Sequence, residues 1–119
     1  MTGVADELLE RLTRVYPAAR DPERARGQAA YMRDRFPFLG LPAPTQRALN
    51  RQVLDGLPKP SEDDLRTVAL RCWALAEREY QYFACDWLRS HGRVPGPAFL
   101  DTVRVLVTTK SWWPAWRRQ

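Results

Sequence analysis

Apolar residues recur along most of this chain at the three-and-four spacing that lines one face of a helix. Ala5, Leu8, Leu9, Leu12, Val15 and Tyr16 form the first such stripe, and Pro17 follows to stop it. Asp21-Pro22 supplies a cap and a first helical residue with its φ already set, after which Ala25, Ala29, Met32 and Phe36 run down one side to Pro37. Leu39 to Pro44 is a connector whose two prolines forbid continued helix, while Pro44 opens a third helix through Ala48, Leu49, Val53 and Leu54. Ser61 with Asp64 three residues on has the pattern of a capping box built with the shorter acid, and it leads into Leu65, Val68, Ala69, Cys72, Trp73 and Leu75. The fifth stripe is Tyr80, Phe83, Ala84, Trp87 and Leu88, following Glu77 and Glu79, whose charges suit the positive end of a helix. Between Ala98 and Thr108 the valines alternate with Thr102, Arg104 and Leu106 as in a strand. A single strand among five helices would have no partner, so this segment is predicted as a sixth helix facing inward through Phe99, Val103, Leu106 and Val107.

Six helices joined by short turns bearing Pro or Gly predict an all-α domain of antiparallel neighbours. Paired in order they give units starting near residues 4, 44 and 77, a period that helix-pair repeats use. Periodicity alone leaves a simple bundle and a solenoid both open.

At 119 residues the chain suits one domain with a modest core, and 45% hydrophobic with 28% charged residues describes a globular protein. The net charge of +5 favours an anionic partner, nucleic acid before a membrane surface. Arginine supplies seventeen of the nineteen cations. Genome composition would give that bias too, but the guanidinium fork suits phosphate better than an ammonium does. Asp6, Glu7 and Glu10 stand where a signal peptide would carry positive charge, and no apolar run approaches a membrane span, so a cytoplasmic protein with no membrane partner is expected. Cys72 and Cys85 fall on apolar helical faces, where a buried thiol acts as a small hydrophobe, and His91 sits beside Gly92 in a turn with no assigned role. With no Gly-rich phosphate loop, no metal-spaced Cys/His set and no nucleophile-base constellation, an enzyme made of these residues must work without metal or cofactor.

The unusual chemistry gathers near the end of the chain. Thr108-Thr109-Lys110-Ser111-Trp112-Trp113 combines a cation, a possible helix cap and two adjacent indoles, with Trp116 close behind. Such a pair either packs one ring in the core and closes a groove with the other, or offers a platform for cations and bases. Two other places hold candidates. Glu77 and Glu79 bracket Arg78, but residues two apart on a helix point away from each other, which favours a helix-start charge pattern over an acid-base pair. Arg33-Asp34-Arg35-Phe36-Pro37-Phe38 reads either as a basic-aromatic nucleic-acid contact or as a solvated charge face followed by two Phe anchors, the second being favoured for Phe36 and Phe38.

Three of these strings, residues 31–41 (YMRDRFPFLGL), 77–84 (EREYQYFA) and 109–113 (TKSWW), occur together in an order and spacing that resembles the bacterial DNA alkylation repair glycosylases built from HEAT-like helical repeats, the AlkD type. The resemblance covers about residues 5 to 113 and corresponds to the N-terminal half of such an enzyme. It implies an all-α superhelix of HEAT-like repeats whose concave face holds double-stranded DNA carrying alkylated purines, with no metal or cofactor. It also implies that Trp113 packs against the sugar of the lesion, that Lys110, Ser111 and Trp112 belong to the DNA-binding turn, and that Tyr31 lies near the lesion-facing groove. For Tyr31 a packing role stands equally open.

The carry-over fails at one position. The family follows the double Trp with an Asp, two residues, and then the Asp that serves the developing sugar cation; here these positions hold Pro114 and Arg117. A guanidinium there would repel the charge it should stabilise. The sequence is therefore expected to divide into a repair-like part, residues 1–113, and a divergent tail, 114–119, as in a truncated or frame-shifted copy that is catalytically impaired and, lacking a terminal cap, prone to self-association. The alternative is a non-catalytic HEAT-repeat module that binds DNA or protein. A concave stripe of arginines would favour DNA, and an even scatter would not.

Overall fold

The computed structural model describes residues 3–109, all of whose regular structure is helical: α1 (Val4–Ala18), α2 (Pro22–Tyr31), α3 (Ala43–Leu54), α4 (Glu62–Ala74), α5 (Arg78–Ser90), a 3-10 turn (Pro97–Phe99) and α6 (Leu100–Thr108). The all-α expectation holds. Lys110 to Gln119 lie outside the described residues, and with them the expected helix start at Ser111 and the division after residue 113.

Local chemistry accounts for most of the boundaries. Ser61 accepts a hydrogen bond from the Asp64 N–H at 3.1 Å while the Asp64 carboxylate accepts from the Ser61 N–H at 2.9 Å, so the predicted capping box starts α4. Asp21 accepts from the Arg24 N–H at 3.2 Å and Pro22 opens α2. Pro17 does not stop α1, which runs on to Ala18; a proline so near the end removes a single intrahelical bond.

α2 departs most from expectation. Its stripe was to continue to Phe36, yet the helix ends at Tyr31 and buries no residue. Arg33 and Asp34 both adopt φ 57°, the left-handed region, and reverse the chain. Two forces work against a longer helix: Pro37 disfavours helical backbone at Phe36, and the Phe36 ring is held by the Arg78 guanidinium 4.0 Å from its centroid.

Packing sorts the helices into two layers. α4 packs against α1 and α6, and α3 against α5; between the layers α1 meets α3 and α4 meets α5. The expected pairing of α1 with α2, α3 with α4 and α5 with α6 is not the dominant one. Such two-layer stacking is what an all-α helical-repeat fold produces. The core between the layers holds Leu8, Leu12, Tyr16, Val53, Leu65, Val68, Cys72 and Phe83, all buried. Each of the larger aliphatic side chains contributes about 1.5–3 kcal/mol relative to exposure. Tyr16 stacks on Tyr80 at 5.5 Å and donates its hydroxyl to Asn50 Oδ1 at 2.6 Å, which joins all three helices α1, α3 and α5. Arg11 closes the α3 end of the same seam by donating to the carbonyls of Val53 and Asp55 at 3.1 and 2.7 Å.

α6 is a helix, as expected, but with a different inner face. Phe99, Thr102 and Leu106 are buried, whereas Val103 and Val107 are 39% and 49% exposed. The rotation follows from two polar anchors on α4: Arg66 Nε donates to Thr102 Oγ1 at 3.0 Å, and the Trp73 indole donates to the Leu106 carbonyl at 3.1 Å. Among the described residues no helix is long and apolar enough to cross a membrane.

Candidate nucleic-acid interface

The segment from Tyr31 to Leu41 is tied down by the first turn of α5. Glu79, only 1% exposed, accepts from the backbone N–H groups of Leu39 at 2.9 Å, Gly40 at 2.9 Å and Leu41 at 3.2 Å. These three N–H groups lie in a connector that cannot join a helix, and a buried carboxylate is the acceptor that satisfies them. Next to it the Arg78 N–H donates to the Pro37 carbonyl at 2.9 Å, and the Arg78 guanidinium covers the Phe36 ring. Burial draws Arg78 below the usual arginine range, opposed by the nearby Tyr82 hydroxyl. Gly40, at φ 91°, lies against the Asp21 carbonyl, and the Asp21 N–H donates to the Leu39 carbonyl at 2.8 Å. α2 is thus anchored through the connector rather than through a buried face of its own.

The rest of the EREYQYFA string is used inside the fold as well. Gln81 donates to the carbonyls of Cys72 and Leu75 at 2.8 and 3.0 Å, capping the C-terminus of α4. Phe83 is buried and stacks with Trp87 at 6.3 Å. Glu77 and Glu79 are not an acid-base pair. Glu79 is instead the buried clasp of the connector, a role the helix-start reading missed.

Between α2, α3 and α5 lies an open groove of about 850 Å³, lined by residues that include Tyr31, Met32, Phe38, Gln46, Tyr82 and Asp86. A smaller depression lined by Gln46, Arg47, Asp86, Arg89 and Ser90 shares part of this wall. Tyr31 stands 71% exposed at the groove, which is unlike a packing residue. Met32 and Phe38 line the groove too and are half-buried. Three carboxylates line it, Asp21, Glu23 and Asp86, of which Asp21 pairs with Arg24 at 4.0 Å and Asp86 with Arg89 at 3.7 Å. Such groups can bind and orient a ligand. Among the described residues no three His, Cys, Asp or Glu side chains gather as metal ligands would.

Charge is divided unequally between the layers. α1, α4 and α6 carry five arginines (Arg11, Arg14, Arg66, Arg71, Arg104) against seven carboxylates (Asp6, Glu7, Glu10, Glu62, Asp63, Asp64, Asp101). α2, α3 and α5, which line the groove, carry six arginines (Arg24, Arg26, Arg47, Arg51, Arg78, Arg89) against three carboxylates (Glu23, Glu79, Asp86). The arginines are thus almost evenly divided, with Arg78 buried, and the groove side differs in carrying fewer carboxylates, which leaves its helices net positive and those of the other layer net negative.

Of the residues to which the resemblance assigns a role, Tyr31 alone lies within the described part. Lys110, Ser111, Trp112, Trp113 and Arg117 lie outside it. The point from which that stretch follows is fixed, because Trp73 Nε1 also reaches the Thr109 carbonyl at 3.3 Å. Cys72 is buried and Cys85 half-buried, and burial pushes their thiols up to about 12 and about 11, which makes both unreactive hydrophobes.

Comparison with known proteins gives the lineage. A solved structure described as a predicted DNA alkylation repair enzyme from Enterococcus faecalis superposes with a TM-score of 0.69 at 32% identity, over 83% of this chain and 48% of that one. The chain thus spans about half the length of that relative. None of the curated proteins matches. The family model for DNA alkylation repair enzymes matches residues 12–115, nearly the whole sequence, and the chain belongs to that family.

Proposed function

We propose that this protein binds alkylated duplex DNA with the α2–α3–α5 face of a HEAT-like stack, as part of a base-excision activity of the AlkD type. The observation that carries this reading is the coincidence of three features on one face: the groove, the exposed Tyr31 and a net positive charge. Duplex DNA presents a dense row of phosphates, and a face whose arginines are offset by few carboxylates attracts them where the acidic layer would repel them. Tyr31 then offers an aromatic surface to whatever lies in the groove.

The reaction would be hydrolysis of the bond between deoxyribose and a purine alkylated on a ring nitrogen. That base is a cation; when the bond breaks its electron pair goes to the purine, which leaves neutral, and positive charge passes to the sugar. Water then adds at the sugar carbon and gives up a proton. Trp113 would face the sugar cation, with Lys110, Ser111 and Trp112 in the turn beside it. Where the family places the carboxylate that stabilises this cation the chain has Arg117, so the protein would bind alkylated DNA without by itself accelerating base release.

The test is incubation of the purified chain with duplex DNA methylated on its purines, reading binding by fluorescence anisotropy and free base by chromatography. The proposal requires binding that weakens steeply with salt and base release at the uncatalysed rate. Absence of binding at low salt would remove the DNA reading and leave a protein-interaction module. Rapid release of methylated purine would keep DNA recognition and overturn the impairment.

A further inference from the structure

The tight turn after α2 is the one place among the described residues where non-glycine backbone takes the left-handed conformation, and it does so twice running, at Arg33 and Asp34. L-residues pay about 1–2 kcal/mol each in this region, somewhat less for Asp, so the turn persists only because its surroundings impose it. Those surroundings are on the page. The Asp34 N–H donates to the Ala29 carbonyl at 2.7 Å and the Arg33 N–H to the Ala30 carbonyl at 3.0 Å, while Arg78 and Glu79 hold the chain from Phe36 to Leu41.

What this strained and clamped turn exposes is a pair of arginines. Arg33 and Arg35 are both exposed, and they follow Tyr31 and Met32, which line the groove. The two strained residues themselves gain no burial, so what they present faces outside the chain. A guanidinium pair held on a fixed backbone beside an exposed aromatic suits successive phosphates of a nucleic-acid strand, because less side-chain and loop freedom is lost on binding.

We infer that Arg33 and Arg35 are a preorganised phosphate clamp on the turn that follows the groove residues Tyr31 and Met32, with Glu79 as the positioning residue that fixes the turn. This rests on the duplex-binding reading above, and it assigns backbone contacts to a segment distinct from the Lys110–Trp113 turn. The clamp takes phosphodiester backbone, so binding does not depend on the sequence of the duplex.

The test compares salt dependence of duplex binding for the wild-type chain, the double variant Arg33→Asn with Arg35→Gln, and the double variant Arg14→Gln with Arg104→Gln. Asn is chosen at position 33 because it tolerates left-handed backbone. Both doubles remove two charges, but Arg14 and Arg104 are exposed on the opposite layer. Each lost phosphate contact lowers the slope of log K against log salt by about 0.9, so the turn variant should lose about 1.8 and bind roughly tenfold more weakly near physiological salt. The opposite-layer variant should keep the wild-type slope. Inorganic phosphate at millimolar concentration should not compete beyond its contribution to ionic strength, which separates a strand clamp from a free-phosphate site. If the wild type binds and the turn variant keeps its slope, or if both doubles lose it equally, the clamp is refuted while the duplex reading survives. If the wild type does not bind, the underlying reading itself has failed.

Discussion

The Glu79 carboxylate lies 2.9 Å from the backbone nitrogen of Gly40, a residue 39 positions earlier, with both groups buried. The same carboxylate also accepts from the flanking residues Leu39 and Leu41, so a single side chain satisfies three consecutive N–H groups. Through this contact two of the three family-like strings, one running from Tyr31 through the connector and one on α5, become one structural unit. The groove wall depends on it, because α2 buries none of its own residues.

Replacing Glu79 with Gln should therefore be costly although the two are nearly the same size. Either orientation of the amide turns an NH2 group toward at least one N–H that now has an acceptor. An expected loss of roughly 2–3 kcal/mol follows from leaving a buried donor unsatisfied and weakening charge-assisted bonds, and Glu79→Ala should lose more. Urea unfolding followed by far-UV circular dichroism gives both values. A change below about 0.5 kcal/mol for either variant would show that the clasp does not hold the fold.

Gly40→Ala attacks the same unit from the other side. A methyl group there would overlap the Asp21 carbonyl oxygen and crowd the Ala25 nitrogen, both backbone atoms with little room to move, at a φ of 91° that L-residues rarely adopt. The expected cost is on the order of 3 kcal/mol or more, from overpacking added to backbone strain. Gly27→Ala is the control, since nothing lies within 4 Å of its missing Cβ and a helical interior favours Ala; it should stabilise by about 0.5–1 kcal/mol. Equal thermal shifts for the two would contradict the close approach at Gly40.

Arg33→Asn should raise stability by roughly 0.5 kcal/mol while weakening duplex binding, because Asn accepts left-handed backbone at lower cost and carries no charge. A variant that gains stability and loses function is the signature of strain retained for use. The urea midpoint and the anisotropy titration, made on the same preparation, check the two signs together. A destabilised Arg33→Asn would mean that the turn is not strained.

Alkaline titration offers a separate check on the core. Burial raises the Cys72 thiol from 9.0 to about 12, the Cys85 thiol from 9.0 to about 11 and the Tyr80 hydroxyl from 10.0 to about 12, and it also raises Tyr16. A group that holds its proton more tightly when folded contributes stability that is complete below its unfolded pKa and is lost as pH rises through the folded one. Stability should thus stay level from pH 7 to about 8.5 and then fall steadily toward pH 12. Both thiols should resist a thiol reagent at pH 8 in the folded chain and react at once in urea. Fast labelling of the folded chain would contradict the burial.

Much of the fold was legible because it rests on local rules. The capping box at Ser61, the Asp21-Pro22 start and the apolar stripes of α1, α3, α4 and α5 each need only a window of a dozen residues. What stayed hidden is what depends on distant partners. Nothing near Glu79 in sequence announces that its carboxylate meets backbone N–H groups some 40 residues away, although a Gly between two Leu residues before Pro42 marks a connector in need of an acceptor. The stripe through Met32 and Phe36 overran the end of α2 because periodicity cannot see the Arg78 guanidinium that takes Phe36 elsewhere. On α6 the alternating valines concealed which side would face α4, since Thr102, not Val103, is drawn in by Arg66. At the site, the exposure of Tyr31 and the layer-by-layer division of charge became visible only once the helices were stacked.

Hydrogen exchange of the full chain, measured with and without duplex DNA bearing methylated purines, tests the assignment of the binding face most directly. The account predicts added protection in α2, the turn at 32–36, α3 and α5, with α1 and α4 unchanged. Protection confined to α1 and α4, or spread evenly over both layers, would contradict it.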